Sequence, residues 1–460
     1  MISLRPYQCA GIEAIRRAFA AGKRAPLYVL PTGGGKTVMF AHVAHGAAAK
    51  GNRVLILSHR IELVDQISDA LTASDTSHGF IAAGYPDTPA ACMIASVPTL
   101  LRRLERVPEP ALIVVDEAHH SRSKTWTAIL ERWPHARRLG VTATPVRASG
   151  EGLGTLFDDL ILGPTVAELT ALGHLAPVRV FAPETVDTSG LHVHSGDYQT
   201  AESEQLMDKP AIIGSALAHY EALARGLPAI VFCVSVSHAE HVAEQFRAAG
   251  HPAVALNGGT ERGIRRGVVA DFKAGKIRVL VGADLFNEGF DSGGIQVGIM
   301  LRPTQSLGLH CQQLGRVLRP APGKERALIL DHVGNTSRLG LPDTEREWTL
   351  AGQDRKRNAA KTQAVKICPA CYCAMPPTAQ TCPECKHVFT GKPREVEERE
   401  GELHEVTPEE VARRQARREQ GRSDTLEALI ELGRQRGYGK AEAWARHVWE
   451  ARQRRRAGAA

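Results

Sequence analysis

Residues 31–37 read Pro-Thr-Gly-Gly-Gly-Lys-Thr. Gly33, Gly34 and Gly35 let a chain turn tightly and aim several backbone N–H groups at one point. Lys36 adds an ammonium group there, and Thr32 and Thr37 add hydroxyls. This set suits the phosphates of a nucleoside triphosphate, with Thr37 on the accompanying Mg2+. The general phosphate-loop pattern opens with glycine, where this chain has Leu30. Asp116-Glu117-Ala118-His119 supplies two adjacent carboxylates after an apolar run. Read alone, they fit a solvated acidic turn. Downstream of a phosphate loop, Asp116 suits the metal and Glu117 suits the base that polarises a water.

Such groups work only if regular elements hold them. An apolar run precedes the glycines at 27–30, and a helix-compatible stretch follows at 38–50, which is the strand–loop–helix setting the motif requires. Further short apolar runs at 53–58, 92–95, 111–115 and 139–142 alternate with amphipathic stretches. Runs without polar alternation predict strands buried on both faces. Their alternation with helices predicts a parallel, doubly wound sheet whose ligands sit at the carboxyl ends of the strands. A second series (178–181, 229–234, 253–256, 278–281, 295–300, 327–330) predicts another α/β domain without a phosphate loop. We expect an ATP-binding domain over 1–150, a connector over 151–175 and a second domain over 176–340. A wrapping segment over 341–364, a zinc ribbon over 365–390, a charged linker over 391–424 and a small helical tail over 425–460 complete the expected order. Residues 191–205 are polar and aperiodic and read as a surface loop or small insertion.

In the second half, Gln312-Gln313-Leu314-Gly315-Arg316-Val317-Leu318-Arg319 falls on an expected helix over 306–318. Arg316 and Arg319, three residues apart, would share a helical face. They suit either a basic surface patch or an arginine pair reaching a transferring phosphate across a cleft. Thr142-Ala143-Thr144-Pro145 ends a strand with two hydroxyls. Asp284–Asp291 carries carboxylates and a glycine after another strand.

Nine cysteines divide into a cluster and four scattered residues. Cys368-Pro-Ala-Cys371 and Cys382-Pro-Glu-Cys385 are separated by ten residues. Two C-x-x-C knuckles predict tetrahedral Zn2+ held by four thiolates, because so short a segment has little other means of folding. Cys373 is left over. The ribbon could present Lys366, Lys386 and His387 to nucleic acid or dock a partner protein. Cys9, Cys92, Cys233 and Cys311 read as reduced core thiols, which suits a cytoplasmic protein better than a disulfide scaffold.

At 460 residues the chain is long enough for several domains. No apolar run approaches the ~20 residues that would span a bilayer. The net charge of +7 suits a polyanionic partner without requiring one. Residues 413–418 and 452–456 are locally basic, as suits phosphate contact or a solvated helix face. Trp444 and Trp449 suit a small helical core or a docking face.

Taken in order, these motifs resemble a superfamily 2 helicase. The resemblance rests on Arg5-Pro-Tyr-Gln8, the phosphate loop, Leu57-Ser-His-Arg60, Ser96-Val-Pro-Thr-Leu100, Asp116-Glu-Ala-His119, Thr142-Ala-Thr-Pro145, Val231-Phe-Cys-Val-Ser235, Asn287-Glu-Gly-Phe-Asp291 and Gln312–Arg319. It covers about residues 1–335. The nearest subgroup is the DEAD/DEAH-box proteins with type III restriction subunit-like motor domains, in bacterial and phage-like versions. Asp331-His-Val-Gly-Asn335 and the Trp348 region resemble it too.

The resemblance implies two tandem RecA-like domains that hydrolyse ATP to move on or unwind nucleic acid, DNA in preference to RNA. It implies that Gln8 reads the adenine, with Arg5 nearby. Lys36 and Thr37 would hold phosphates and Mg2+, with Asp116 on the metal and Glu117 as catalytic base. Thr142, Thr144 and Gln312 would couple hydrolysis to domain movement. Gly289 and Asp291 would approach the ribose or phosphates, and Arg316 and Arg319 would complete the site from the second domain. His59, Arg60, Ser96 and Thr99 would line the nucleic-acid track. Asp291-Ser292-Gly293 departs from the Asp-x-Pro common in relatives. A duplex translocase, an RNA remodeller without processive unwinding and a nucleic-acid scaffold with a vestigial motor remain the competing readings.

Overall fold

The computed structural model describes residues 3–59, 61–121, 124–146, 150–183, 186–285, 294–352 and 365–389, and, in the tail, 416, 419–420, 423 and 425–457. One compact unit spans Met1–Thr390 and a second spans Gly391–Ala460.

The first unit begins with a helix, Pro6–Ala20, started by a proline at its first turn. A seven-stranded sheet then forms from β1 (Pro26–Val29), β2 (Val54–Ser58), β3 (His78–Ile81), β4 (Cys92–Ser96), β5 (Leu112–Val115), β6 (Arg137–Thr142) and β7 (Asp159–Leu162). Its order is β3-β4-β2-β5-β6-β1-β7, and every adjacent pair is parallel. Alternation along the central strands sends neighbours into two separate cores. Val54, Ile56, Leu112 and Val114 pack on one face. Leu55, Leu57, Ile113 and Val115 pack on the other, with Trp126, Trp133 and Phe157. Helices therefore cover both faces, as the unalternating apolar runs require.

A second sheet contains β8 (Val178–Phe181), followed by a small hairpin of β9 (Val193–His194) and β10 (Asp197–Tyr198) that stands apart from it. The sheet continues with β11 (Ala229–Cys233), β12 (Ala253–Leu256), β13 (Val279–Ala283), β14 (Val297–Met300) and β15 (Ala327–Asp331). These six strands are parallel in the order β12-β13-β11-β14-β15-β8. Two strands from the cysteine segment, β16 (Lys366–Ile367) and β17 (Cys373–Met375), then join antiparallel at the β8 edge.

Several elements differ from the sequence expectation. The expected connector contributes β7 to the first sheet before a short helix, Val166–Ala171. Residues 191–205 form the β9–β10 hairpin and most of a helix, Thr200–Met207. Beyond the second sheet, Gly352 bridges Glu151, and Leu350 O accepts from Gly154 N at 2.9 Å. The chain thus returns to the first domain before residues 353–364, which lie outside the described residues.

The second unit contains two helices, Leu426–Gln435 and Ala441–Ala457. Gly433 lets Ala441 and Trp444 pack closely, and Trp444 meets Tyr438 edge-on at 5.0 Å. Trp444 is therefore part of a small helical core. Most of 391–424 lies outside the described residues.

Candidate nucleotide site and metal centre

The phosphate loop runs from β1 into the helix Lys36–Ala48. Gly33 and Gly35 adopt φ of +89° and +86°, a region that only glycine enters without strain. A methyl group on Gly35 would lie 2.5 Å from Gln8 Nε2. Gln8 is itself anchored, its Oε1 accepting from Arg5 N at 2.9 Å. Tyr7 OH donates to Gly34 O at 2.7 Å and accepts from Arg5 Nη1 at 3.2 Å. Arg5 and Gln8 are therefore brought to the loop, and Tyr7, inside the same motif, joins them. Thr37 is half-buried in the first turn of the helix.

Asp116 and Glu117 follow β5 and are both buried. Glu117 adopts φ of +46°, a left-handed conformation costly for a side chain-bearing residue and concentrated at functional sites. Its N–H donates to Asp116 Oδ1 at 2.9 Å. Lys36 Nζ lies 3.9 Å from Glu117 Oε1. Among the described residues Glu117 Oε2 accepts no hydrogen bond, although His119 Nδ1 lies 3.5 Å away. Burying two adjacent carboxylates is costly unless cations face them, and Lys36 is one such cation, beside Glu117. The donor set (a carboxylate pair, the Thr37 hydroxyl and a glycine-lined turn) fits Mg2+ with a polyphosphate. When bound, these groups supply a Lewis acid and the bond to be cleaved. This chain's residues would orient them, with Lys36 opposite Glu117.

The second domain closes on this site through the helix Leu307–Val317. Gln312 Nε2 is 3.3 Å from His119 Nε2. A methyl group on Gly315 would lie 2.3 Å from Thr32 Cβ, and one on Gly308 would lie 3.2 Å from Thr144 Oγ1. The stripe 308, 312, 315 thus faces the first domain, and Arg316, buried, continues it one turn beyond Gln312. The expectation that Arg319 shares that helix is corrected: the helix ends at Val317, so helical spacing does not align the two arginines. The chain beyond it still carries Arg319 to the loop, its Cγ 3.5 Å from where a Gly33 Cβ would stand. Lys324 sets that course, donating to Ile295 O at 2.7 Å, to Arg319 O at 2.8 Å and also to Val317 O. Sequence reasoning missed Lys324, because nothing local marks it.

Thr142 Oγ1 accepts from Thr144 N at 3.1 Å and lies 3.0 Å from His119 Nδ1. His119 therefore bridges Thr142 to Gln312. Its ring also neighbours His120, centroids 4.2 Å apart, which in turn neighbours His59 at 4.3 Å. His59 is thus joined to the acidic motif through His120, a residue the sequence reading did not single out. Ser96 Oγ, at the end of β4, donates to Thr99 Oγ1 at 2.9 Å. Arg60, Gly289 and Asp291 lie outside the described residues.

The sulfur atoms of Cys368, Cys371, Cys382 and Cys385 all lie within 4.8 Å of one another. Each knuckle closes through matching backbone bonds, Tyr372 N to Cys368 O at 2.9 Å and Lys386 N to Cys382 O at 3.1 Å. Tyr372 and Lys386, each following the second cysteine of its knuckle, have φ of +59° and +62°. This cluster fits a four-thiolate metal centre. Cys373 stays outside it, buried on β17.

The description "Type III restriction enzyme, res subunit" matches residues 1–147, and "Helicase conserved C-terminal domain" matches residues 208–321. The chain belongs to the superfamily 2 helicases. A 51.5 kDa protein of a Lactococcus phage is 34% identical over 83% of this helicase and 82% of its own length. The irc3 protein of Schizosaccharomyces pombe, named as a mitochondrial ATP-dependent helicase, is 29% identical over 76% of this chain and 60% of its own length. The structure of the type ISP restriction-modification enzyme LlaBIII bound to DNA shares the fold, with a TM-score of 0.55 and 18% identity over 78% of this chain and 29% of that one. Membership makes the helicase an ATP-hydrolysing enzyme of the helicase and translocase class.

Proposed function

We propose that this helicase couples ATP hydrolysis to movement on, or unwinding of, DNA. The contact of Gln312 with His119, across from Lys36 and Glu117, carries this reading, because a second domain that touches the hydrolytic motif can sense and drive its state. Lys36, Thr37 and Thr32 hold phosphates, and Thr37 and Asp116 hold Mg2+. Glu117 is the catalytic base, Arg316 and Arg319 neutralise the transferring phosphate, and Gln8 reads the adenine with Arg5 nearby. Thr142, Thr144 and Gln312 couple closure to chemistry, and His59, Ser96 and Thr99 line the track. We also assign Zn2+ to the four cysteines, the domain order expected above with the first domain extended through β7, and a cytoplasmic setting in keeping with the free thiols of the other five cysteines. The ribbon and the tail hairpin are the surfaces offered to a protein partner. DNA is preferred over RNA because the subgroup that the motifs resemble acts mostly on DNA. No helix among the described residues is long and apolar enough to cross a membrane.

The deciding experiment compares ATP turnover by wild type and Glu117→Gln with no nucleic acid, single-stranded DNA, duplex DNA and RNA. Turnover stimulated by DNA and reduced at least ~10²-fold in the variant is expected. Stimulation by RNA alone would replace the DNA assignment. Absence of turnover in folded, zinc-loaded protein would favour a nucleic-acid scaffold.

A further inference from the structure

The two motor domains also meet away from the phosphate loop. Asp65 lies on the helix Ile61–Ala73, which follows β2, and Tyr85 lies in the segment after β3. Arg262 and Arg266 lie in the first turns of the helix Arg262–Lys273, which follows β12. Arg262 Nη2 donates to Asp65 Oδ2 in a short contact, and to Tyr85 OH at 3.0 Å. Tyr85 OH donates to Asp65 Oδ1 at 2.5 Å. Arg266 Nη2 lies 3.8 Å from the same carboxylate. The Arg262 guanidinium also stands 5.6 Å from the centroid of the Tyr85 ring, which stacks on Phe80.

Two guanidiniums therefore converge on one carboxylate, leaving an excess positive charge. The cluster is not sealed: the side chains of Asp65, Arg262 and Arg266 are 39%, 50% and 71% exposed. Exposed pairs of this kind are weak and exchangeable. A phosphodiester carries the same single negative charge and presents paired oxygens to a guanidinium as a carboxylate does. Arg265 serves a different end, its Nη2 holding Gly258 O at 3.3 Å and Thr260 O at 3.2 Å, so that the loop presenting the helix is fixed.

Position favours nucleic acid over nucleotide. In the first sheet β2 is separated from β1, and so from the phosphate loop, by β5 and β6, three strand spacings or about 14 Å. Asp65 follows the same strand as His59, while Ser96 ends the adjacent β4 and Thr99 follows it. Arg262 and Arg266 follow the carboxyl end of β12, the edge where ligands of open α/β sheets sit.

We propose that Arg262 and Arg266 form a binding site for backbone phosphates of nucleic acid, and that Asp65, held by Tyr85, occupies it until the nucleic acid displaces it. The proposal rests on the reading of the chain as a nucleic-acid motor. It gives the second domain a phosphate contact facing the track residues of the first. The Asp65 carboxyl is held below its usual range: burial raises it, but hydrogen bonds from Tyr85 and Arg262 and the charges of Arg262 and Arg266 outweigh that. At neutral pH the internal occupant is therefore an anion, and a competing anion removes it.

Full-length protein is titrated against labelled single-stranded and duplex DNA at several salt concentrations. The variants are Asp65→Asn, Tyr85→Phe, Arg262→Gln and Asp65→Asn with Arg262→Gln, each checked for folding by thermal melting. Asp65→Asn should tighten binding roughly two- to fivefold. Arg262→Gln should weaken it and lower the log–log salt slope by about 1. The double variant should behave as Arg262→Gln. Unchanged or weakened binding by Asp65→Asn, or an unchanged salt slope in Arg262→Gln, overturns the proposal. If Asp65→Asn does not fold, Tyr85→Phe loosens the same carboxylate, and its failure to tighten binding is equally decisive. A wild type that binds no polymer overturns the motor reading itself, and is distinguished by the ATP turnover series.

Discussion

Gln312 Nε2 stands 3.3 Å from His119 Nε2, while the other nitrogen of that imidazole lies 3.0 Å from Thr142 Oγ1. One ring therefore joins the second motor domain, the acidic motif and the strand-end hydroxyl. Movement of the helix Leu307–Val317 cannot leave His119 undisturbed. Gln312→Ala should lower nucleic-acid-stimulated turnover about fivefold, in keeping with loss of one hydrogen bond at ~1 kcal/mol. Nucleotide affinity should change little. Steady-state turnover beside equilibrium binding of a fluorescent nucleotide separates the two effects.

Lys324 fixes the chain that carries Arg319, through three carbonyls. Lys324→Met keeps the bulk of the stem and removes the donors. It should cost about 1–3 kcal/mol of stability by leaving buried carbonyls unsatisfied. Turnover should fall with it, whereas Lys324→Arg should recover part of both. Denaturant melts and turnover on the same preparations make the check.

Three buried histidines set a pH dependence. Burial pushes His238, His310 and His332 each down to about 4. All three belong to the second motor domain. Each is neutral in the folded chain at a pH where the unfolded chain has already bound a proton. Their stability contribution is thus whole above pH ~6.5 and is lost as pH falls toward 4. Melting temperature should fall steeply across that window. Replacing His332 by Gln should flatten the fall, and an unaltered slope would show that other groups control it.

Metal removal should be felt beyond the cysteine segment. β17 pairs with β8 through Cys373 opposite Phe181 and Ala374 opposite Val180. Arg326 donates to both oxygens of Glu384, at 3.0 and 3.2 Å. Chelation, or Cys382→Ser, should therefore lower the melting temperature of the whole second domain by several degrees. A ribbon that merely hung from the motor would leave that transition in place. Calorimetry with zinc analysis of the same sample distinguishes the cases.

How much of this was legible in sequence depends on range. The glycine run, Asp116 with Glu117, and the paired knuckles are local signals, and their spacing carries their chemistry. β3 and β7 were not legible, because both are four-residue edge strands, half-exposed on at least alternate residues. The bend that takes Arg319 off its helix depends on Lys324. The meeting of Asp65 with Arg262 joins residues 197 apart, and the tilted contact of His59 with His120 joins two segments that only the sheet brings together.

The placement of β17 has one more consequence. Without the ribbon, β8 would be the outermost strand, with a row of unpaired N–H and C=O groups able to accept a strand from another chain. With it, the sheet ends on the two-residue β16, too short to template anything. The thiolate cluster therefore acts as a seal on the motor's flank. Stripped of metal or oxidised, this protein should self-associate before it unfolds, so that its solubility follows the supply of zinc and the redox state of its surroundings.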